Sequence, residues 1–298
     1  MKYMKIVALC KRNFFEIKKR GLAIAGSIFT VLSIVLSFLS WGDMGIDSLA
    51  IKLLIFVGII FISSVVAVFM VCYFRKCNTV YENGTGKIIL RYGDLMKLAF
   101  PKRNKKCRIV IIPVNTSFDT IVDENIAEHE NPLVSPMTIH GMWIENMLKE
   151  ENDLGQIDAA ISRQLQNRRI VHTLTRQEKS RGKLDCYETG TIVSIAGKKN
   201  ITYCLMALSE FDENNNAQSE KNEVIKCTRE ILDYCDIHGQ GYELYMPLMG
   251  TGLSRAGLSH EESLQTIEAV FRLYDEKIHG DINIVIYYKD KTKVSIFR

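Results

Sequence analysis

Two polar segments directly follow apolar runs of the sequence, as expected where the ends of β-strands bind a ligand. In the first, RIVII leads into PVNTSFDT, which contains Asn115, Thr116, Ser117 and Asp119. In the second, YELYM leads into PLMGTGLSRAGLS, which contains Gly250, Thr251, Gly252, Leu253, Ser254 and Arg255. Glycine tolerates positive φ and carries no obstructing side chain, so the second loop can present consecutive backbone N–H groups to an anion. We therefore predict a phosphate-binding loop; an ordinary strand-to-helix turn is the alternative.

Other residue patterns argue against a metal site and against the common catalytic motifs. Five histidines have no spacing typical of metal ligands, namely His129, His172, His238, His260 and His279. No HExxH or Walker-type motif occurs, so catalysis is not the leading interpretation, and neither a metal nor a cofactor is expected. The eight cysteines form no CxxC pair, which predicts reduced thiols in a cytoplasmic domain.

Two long uncharged runs near the N-terminus predict two membrane-spanning helices. Residues 21–41 are 21 consecutive uncharged residues, enough to cross a hydrocarbon core of about 30 Å. Residues 53–74 form the second run, bounded by Lys52 and by Arg75 and Lys76. Basic residues precede the first run and follow the second, so the positive-inside rule places both termini in the cytoplasm. A cleaved signal peptide is the alternative for the first run.

Neither run contains an Asp, Glu, Lys, Arg or His residue, so a single hairpin cannot enclose a transport site. The simplest interpretation is an anchor. Alternatively, several copies associate through small residues that allow close helix contact, namely Gly21, Ala25, Gly26, Ser63 and Ser64. The basic residues of segment 1–20 favour a membrane surface, and the basic cluster at 102–108 has no interleaved aromatic residue, so nucleic acid is not expected as a partner.

The remaining sequence has the pattern of a three-layer α/β/α sandwich with a mixed sheet. Strands are predicted at 108–114, 191–196, 201–208, 242–249 and 282–288, and helices at about 138–150, 156–167, 218–237 and 259–278. We divide the chain into a membrane module, 1–76, a linker with the start of the soluble domain, 77–107, and a ligand-binding domain, 108–298. In such folds ligands bind at the carboxyl ends of central strands.

With these motifs the sequence resembles the macro domains, whose fold binds ADP-ribose and its derivatives. PVNTSFDT is similar to the strand and loop that place an asparagine near the distal ribose, and MPLMGTGLSRAG is similar to the second phosphate-binding loop. SPMTIHGMWIENML stands in place of the first glycine-rich loop, of which only Gly141 is retained. By this resemblance, Asn115, Thr116 and Asp119 would surround a ribose, with Ser117 in the same ligand-binding set. Ser135, Thr138, His140 and Gly141 would lie over one phosphate, and Gly250 to Arg255 would hold the pyrophosphate.

Two membrane helices followed by such a domain resemble the transmembrane-macro effectors of the Thoeris anti-phage system. In that family a TIR-domain enzyme makes an ADP-ribose-type signal from NAD, in one variant a histidine conjugate of ADP-ribose. The macro domain binds the signal and the membrane segment harms the host membrane. The resemblance implies a non-enzymatic, multi-pass protein of a bacterial inner or plasma membrane, whose partners are this signal, the lipid bilayer and further copies of the chain. One alternative is a tethered hydrolase of ADP-ribosylated substrates or ADP-ribose derivatives, in which Asp119 or Asp185 positions water. An adaptor without a ligand is the other.

Overall fold

The fold consists of two units, and the first is made of two segments that are separated in sequence by the second. Unit 1 combines the N-terminal residues up to Asn78 with Lys289–Arg298, and unit 2 is Thr79–Tyr288. The computed structural model describes residues 2–123, 132–150, 153–211, 217–218, 220–251 and 257–297.

Unit 1 is helical in its N-terminal part. Its helices are α1 (Lys2–Arg12), α2 (Phe14–Leu36) and α3 (Leu49–Phe69), and α3 continues in a π-helical turn, Met70–Phe74. By length and composition alone, Phe14–Leu36 and Leu49–Phe74 are long and apolar enough to cross a membrane. Between α1 and α2 lies Asn13, whose φ of −108° and ψ of 20° interrupt the helix.

Helix α2 begins and ends earlier than the first uncharged run, whereas α3 begins earlier than the second run but reaches its predicted end at residue 74 through the π-helical turn. Helix α2 covers 14–36 instead of 21–41, because the chain beyond Ser37 turns. The carboxylate of Asp43 holds this turn by accepting from the Ser40 backbone N–H at 2.8 Å and from its hydroxyl at 2.7 Å. Lys52, expected just before the second span, lies inside α3, with its ammonium 6.0 Å from the centroid of the Trp41 ring. Charged side chains are compatible with a helix, so the limits of an uncharged run do not mark helix ends.

Small residues allow α2 and α3 to pack closely. The buried residues of this pair are Gly21, Ala25, Ser63 and Ala67. A Cβ at Gly21 would lie 3.6 Å from the Cα of Ser64, and the rings of Phe29 and Phe56 stack with centroids 4.9 Å apart. Three of the five small residues that the sequence assigned to contacts between copies are therefore used within one chain, whereas Gly26 and Ser64 are exposed.

The C-terminal segment completes unit 1. The side chains of Val294 and Ile296 are fully buried, and between them the Ser295 hydroxyl donates to Oδ1 of Asn13 at 2.6 Å. Nδ2 of Asn78 donates to the backbone carbonyl of Ile296 at 3.1 Å. The segment is thus bonded to the chain both before α2 and after α3.

Unit 2 is organised around a mixed β-sheet. Its strands are β1 (Cys77–Glu82), β2 (Lys87–Gly93), β3 (Arg108–Asn115), β4 (Ile170–Thr173), β5 (Asp185–Tyr187), β6 (Ile192–Ala196), β7 (Ile201–Phe211), β8 (Ala217–Gln218), β9 (Glu243–Pro247) and β10 (Ile282–Tyr287). The sheet order is β1-β2-β10-β9-β3-β7-β6, with β8 paired to β7. Strands β2, β10, β9, β3 and β7 are parallel, and β6 is antiparallel to β7. Strands β4 and β5 form a separate antiparallel pair.

Helices cover both faces of the sheet, which confirms the predicted three-layer fold. They are α4 (Leu95–Ala99), α5 (Ile139–Lys149), α6 (Leu154–Leu165), α7 (Lys221–His238) and α8 (His260–Leu273). Helices α4, α5 and α6 share a core with alternate residues of β3, including Val110 and Ile112. On the other face, Sγ of Cys227 in α7 lies 3.5 Å from the backbone carbonyl of Ala207 in β7.

Unit 2 begins at Thr79, inside the segment 77–107 that the sequence assigned to a linker and the start of the soluble domain. Strand β2 lies inside the sheet and pairs with β10, Ile88 opposite Ile282. Helix α4 follows it directly, because the Asp94 side chain accepts from the Met96 N–H at 3.0 Å and caps the first turn. Conversely, residues 289–298, expected in the ligand-binding domain, belong to unit 1.

Candidate functional site

Asn115 and Gly250 follow neighbouring parallel strands and therefore leave the sheet at the same edge. Strands β3 and β9 pair with Ile109 opposite Leu244 and Val110 opposite Tyr245. The carboxyl ends of parallel strands meet at one edge, where open α/β folds bind ligands. The two loops that the sequence selected as ligand-binding thus start side by side.

The loop after β3 is held in shape by its own side chains. Oδ1 of Asn115 accepts from the Asp119 backbone N–H at 3.0 Å, and Nδ2 of Asn115 donates to Oδ2 of Asp119 at 2.8 Å. Asn115 is 5% exposed and Asp119 is 1% exposed. Thr116 and Ser117 are buried as well, and the Thr116 N–H donates to the Ser209 carbonyl at 3.0 Å. The three predicted ribose residues and Ser117, which was predicted to bind the ligand, therefore lie in one buried loop.

Residues Lys179–Lys183, which we call the basic segment, bind this loop and its neighbours through three ion pairs. The pairs are Lys179 with Asp119 at 2.6 Å, Arg181 with Asp123 at 2.7 Å and Lys183 with Asp158 at 2.6 Å. The first pair is buried, whereas the other two are partly exposed. The backbone N–H of Lys183 also donates to Oδ1 of Asp119 at 2.7 Å.

The start of α5 packs tightly on the loop before it. Oγ1 of Thr138 accepts from the Gly141 N–H at 3.0 Å and donates to the Ser135 carbonyl at 2.7 Å. A Cβ at Gly141 would lie 2.2 Å from the same carbonyl oxygen, so any other residue would push the helix away. Thr138 and Gly141 therefore form the first turn of α5, and this turn packs against the backbone carbonyl of Ser135. Free backbone N–H groups at a helix start favour an anion nearby.

His140, in the first turn of α5, is buried and held neutral at pH 7. Burial, and to a lesser degree the charge of Lys183, lowers the pKa of His140 to about 3. The neutral ring can exchange hydrogen bonds with a ligand, but in the free protein it adds no positive charge to the site.

We expect acid to destabilise the protein partly through His140. The unfolded chain protonates this ring near its ordinary pKa of 6.5, whereas the folded chain resists protonation down to about pH 3. The contribution of the neutral His140 ring to the free energy of unfolding is therefore fully present above pH 6.5. It is lost as the pH falls, by about 2 kcal/mol between pH 7 and 5. Thermal unfolding of the full chain in detergent should show a smaller loss for His140→Gln over this interval. Equal losses in both proteins would contradict the neutral buried histidine.

The predicted phosphate loop is described at its beginning and at the helix that follows. Gly250 is buried with φ of +77°, and Thr251 is partly exposed. The carbonyl of the preceding Met249 accepts from the Ser263 hydroxyl of α8 at 2.6 Å, which fixes the loop base. Gly252, Leu253, Ser254 and Arg255 lie outside the described residues, so their predicted phosphate contacts stay predictions.

Sequence reasoning missed the basic segment. Lys179, Arg181 and Lys183 alternate along the chain in a stretch without a predicted helix or strand, and this alternation was the available signal. Their partners at 119, 123 and 158 belong to other elements, so only the fold brings the charges together. All eight cysteines are free.

The fold and the strand-end loops define a macro-type α/β/α domain. A family model described as Thoeris protein ThsA, Macro domain, matches residues 88–287, which run from the second residue of β2 to the last residue of β10. The match covers about two thirds of the 298 residues. The chain therefore belongs to the Thoeris ThsA macro-domain family, and macro domains bind or hydrolyse ADP-ribose.

Individual relatives share a quarter or less of their aligned residues with this chain. The chain is 25% identical over 276 residues to the Thoeris protein ThsA of Bacillus amyloliquefaciens (strain Y2), covering 91% of this chain and 85% of that protein. Among solved structures, it is similar to the Oceanobacillus iheyensis macrodomain with ADP (TM-score 0.41, 10% identity, 73% of this chain and 93% of that one). It is also similar to the Trypanosoma brucei macrodomain in complex with ADP-ribose (TM-score 0.39, 12% identity, 69% and 66%).

Proposed function

We propose that this protein is a membrane-anchored effector of anti-phage defence that binds an ADP-ribose-derived signal. The observation that carries the proposal is the position of two loops in a chain of the Thoeris ThsA family. The polar loop after β3 and the glycine-bearing loop after β9 begin side by side at the carboxyl edge of the sheet. The second loop suits phosphates, because glycine at positive φ lets backbone N–H groups point at an anion.

Binding without turnover is favoured over hydrolysis by the state of the two candidate carboxylates. Asp119 is 1% exposed and accepts hydrogen bonds on both oxygens, so it has no oxygen directed at an attacking water. Asp185 accepts from the Thr173 hydroxyl at 2.7 Å across the β4–β5 pair. Asp119 therefore lacks the exposure and the unoccupied oxygen that a general base requires, and Asp185 lies in the β4–β5 pair, apart from the main sheet.

The two apolar helices are the proposed output of the protein. We infer that they cross the bacterial inner or plasma membrane with both termini in the cytoplasm, since the basic residues flank the hairpin on its terminal sides. The signal, made by a TIR-domain partner, is proposed to be the histidine conjugate of ADP-ribose. A ligand shifts an equilibrium only by binding one state better than another. The bound state would therefore be the one in which copies associate and the membrane is damaged.

Calorimetry of the full chain in detergent with ADP-ribose, its histidine conjugate and NAD tests the ligand class. We expect binding of the first two, with the conjugate tighter, and no conversion of either compound when the mixture is analysed by chromatography. Absence of heat and of any thermal shift with all three compounds would contradict the proposal. Turnover of the bound compound would replace it with the hydrolase alternative.

A further inference from the structure

The polar groups of Asn115 and Asp119 are committed within the protein. The amide oxygen of Asn115 accepts from the Asp119 backbone, and its nitrogen donates to the Asp119 carboxylate. That carboxylate also accepts from Nζ of Lys179 at 2.6 Å and from the Lys183 N–H at 2.7 Å. With 5% and 1% of their surfaces exposed, these two side chains shape the loop after β3 rather than line an open surface.

Lys179 is the charged centre of this arrangement. The residue is 4% exposed, and a buried ammonium without partners would be strongly unfavourable. Here Nζ donates to the Asp119 carboxylate and to the Lys183 carbonyl, each at 2.6 Å. One side chain therefore joins the basic segment to the loop after β3.

The backbone of the basic segment is adapted to this contact. Gly182 has φ of +79°, and a Cβ there would lie 2.3 Å from Oδ1 of Asp119 and 2.6 Å from the Leu133 side chain. Only glycine allows the segment to approach the carboxylate this closely. A second bond reinforces the contact, because Nζ of Lys183 donates to the Phe118 carbonyl at 2.8 Å. Phe118 itself has φ of +52°, a conformation that the surrounding contacts must maintain.

We propose that Lys179 is a positioning residue that fixes the loop Thr116–Thr120 in its ligand-binding conformation. On this proposal Asn115 and Asp119 act through the loop and do not touch the ligand. The proposal rests on the proposed function, since it concerns the same site.

The position of the loop sets which part of the ligand depends on Lys179. Phosphates suit the glycine-bearing loop after β9, so an elongated nucleotide that spans both loops places an uncharged part next to β3. ADP-ribose extends beyond ADP by one ribose. Loss of Lys179 should therefore lower the affinity for ADP-ribose and leave the affinity for ADP unchanged. This difference distinguishes positioning of one loop from a general loss of structure.

The test compares ADP-ribose and ADP by calorimetry on the full chain in detergent. Lys179→Met is expected to weaken ADP-ribose about tenfold and to leave the ADP affinity unchanged. The matched control is Lys226→Met, because Lys226 on α7 forms a partly exposed ion pair with Glu188, which follows β5. This control should bind both nucleotides like the unchanged protein.

A double variant separates positioning from direct contact. Lys179→Met combined with Asp119→Asn removes both buried charges and keeps an acceptor for the Lys183 N–H. It should bind ADP-ribose more tightly than Lys179→Met alone, because no unpaired charge remains to disorder the loop. If the double variant binds ADP-ribose no better than Lys179→Met, an unpaired charge is not what disorders the loop, and the proposal is overturned.

Two further outcomes would also overturn it. One is a Lys179→Met protein that binds ADP-ribose like the unchanged protein. The other is equal weakening of ADP and ADP-ribose together with a lower unfolding temperature, which indicates a purely structural role. If the unchanged protein binds neither nucleotide, the proposed function itself fails, and this result is distinct from the other two.

Discussion

Gly250→Val is expected to lower the affinity of the full chain for ADP-ribose about a hundredfold. Gly250 has φ of +77°, and a β-branched residue in this conformation is strained by about 1–3 kcal/mol. The loop would relieve the strain by rotating its backbone, which turns N–H groups away from the phosphates. A hundredfold loss corresponds to about 2.7 kcal/mol, which strain and one or two lost hydrogen bonds together supply.

The control for this experiment is Gly84→Val. Gly84 also has positive φ, +87°, and a Cβ there has no atom within 4 Å, but its exposed turn lies outside the proposed site. Both variants should lose similar stability in thermal unfolding, and only Gly250→Val should lose affinity in calorimetry. Unchanged affinity in Gly250→Val would place the phosphates elsewhere in the molecule.

Removal of the last ten residues, Lys289–Arg298, is expected to abolish ligand-triggered membrane damage and to preserve nucleotide binding. These residues belong to unit 1, where Val294 and Ile296 are fully buried and Ser295 donates to Asn13. They also continue directly from β10, the neighbour of β9 in the sheet. The truncated chain would therefore bind the signal in unit 2 but lack a buried part of unit 1.

Dye release from liposomes that contain the protein measures this loss. After addition of the histidine conjugate of ADP-ribose, the truncated chain should release no more dye than liposomes without protein, and calorimetry should give an unchanged affinity. Lys293→Gln is the matched control, because this lysine is largely exposed and pairs with Asp290 of the same tail. Ser295→Ala should give an intermediate result, since the buried Asn13 oxygen loses its donor at a cost of about 1–3 kcal/mol. Full release by the truncated chain would show that the tail has no part in the output.

The sequence predicted the central strands well, because buried parallel strands are continuous apolar runs between turns. The strand predicted at 108–114 is observed as Arg108–Asn115, and that at 282–288 as Ile282–Tyr287. The short β4–β5 pair was not predicted. All residues of β4 are exposed, so the strand has no buried face and produces no alternation of apolar and polar residues.

The candidate site could be predicted only where the informative residues lie together in one segment of the sequence. The two loops were recognised because each combines an apolar strand with the polar or glycine residues that follow it. The buried ion pair of Asp119 with Lys179 could not be predicted, because the two residues are 60 positions apart in sequence. His140 illustrates the same limit: its position at a helix start was predicted, whereas its neutral state results from burial by the whole fold.

Unit 1 is built from the first and last parts of the chain, and this arrangement constrains the order of biosynthesis. Residues 289–298 follow all of unit 2, so the bond between Ser295 and Asn13 can form only after unit 2 has been synthesised. A prematurely terminated product carries both apolar helices but cannot complete the unit that contains them. In each new molecule, the apolar helices of unit 1 therefore reach their final packing only after unit 2 has been synthesised in full.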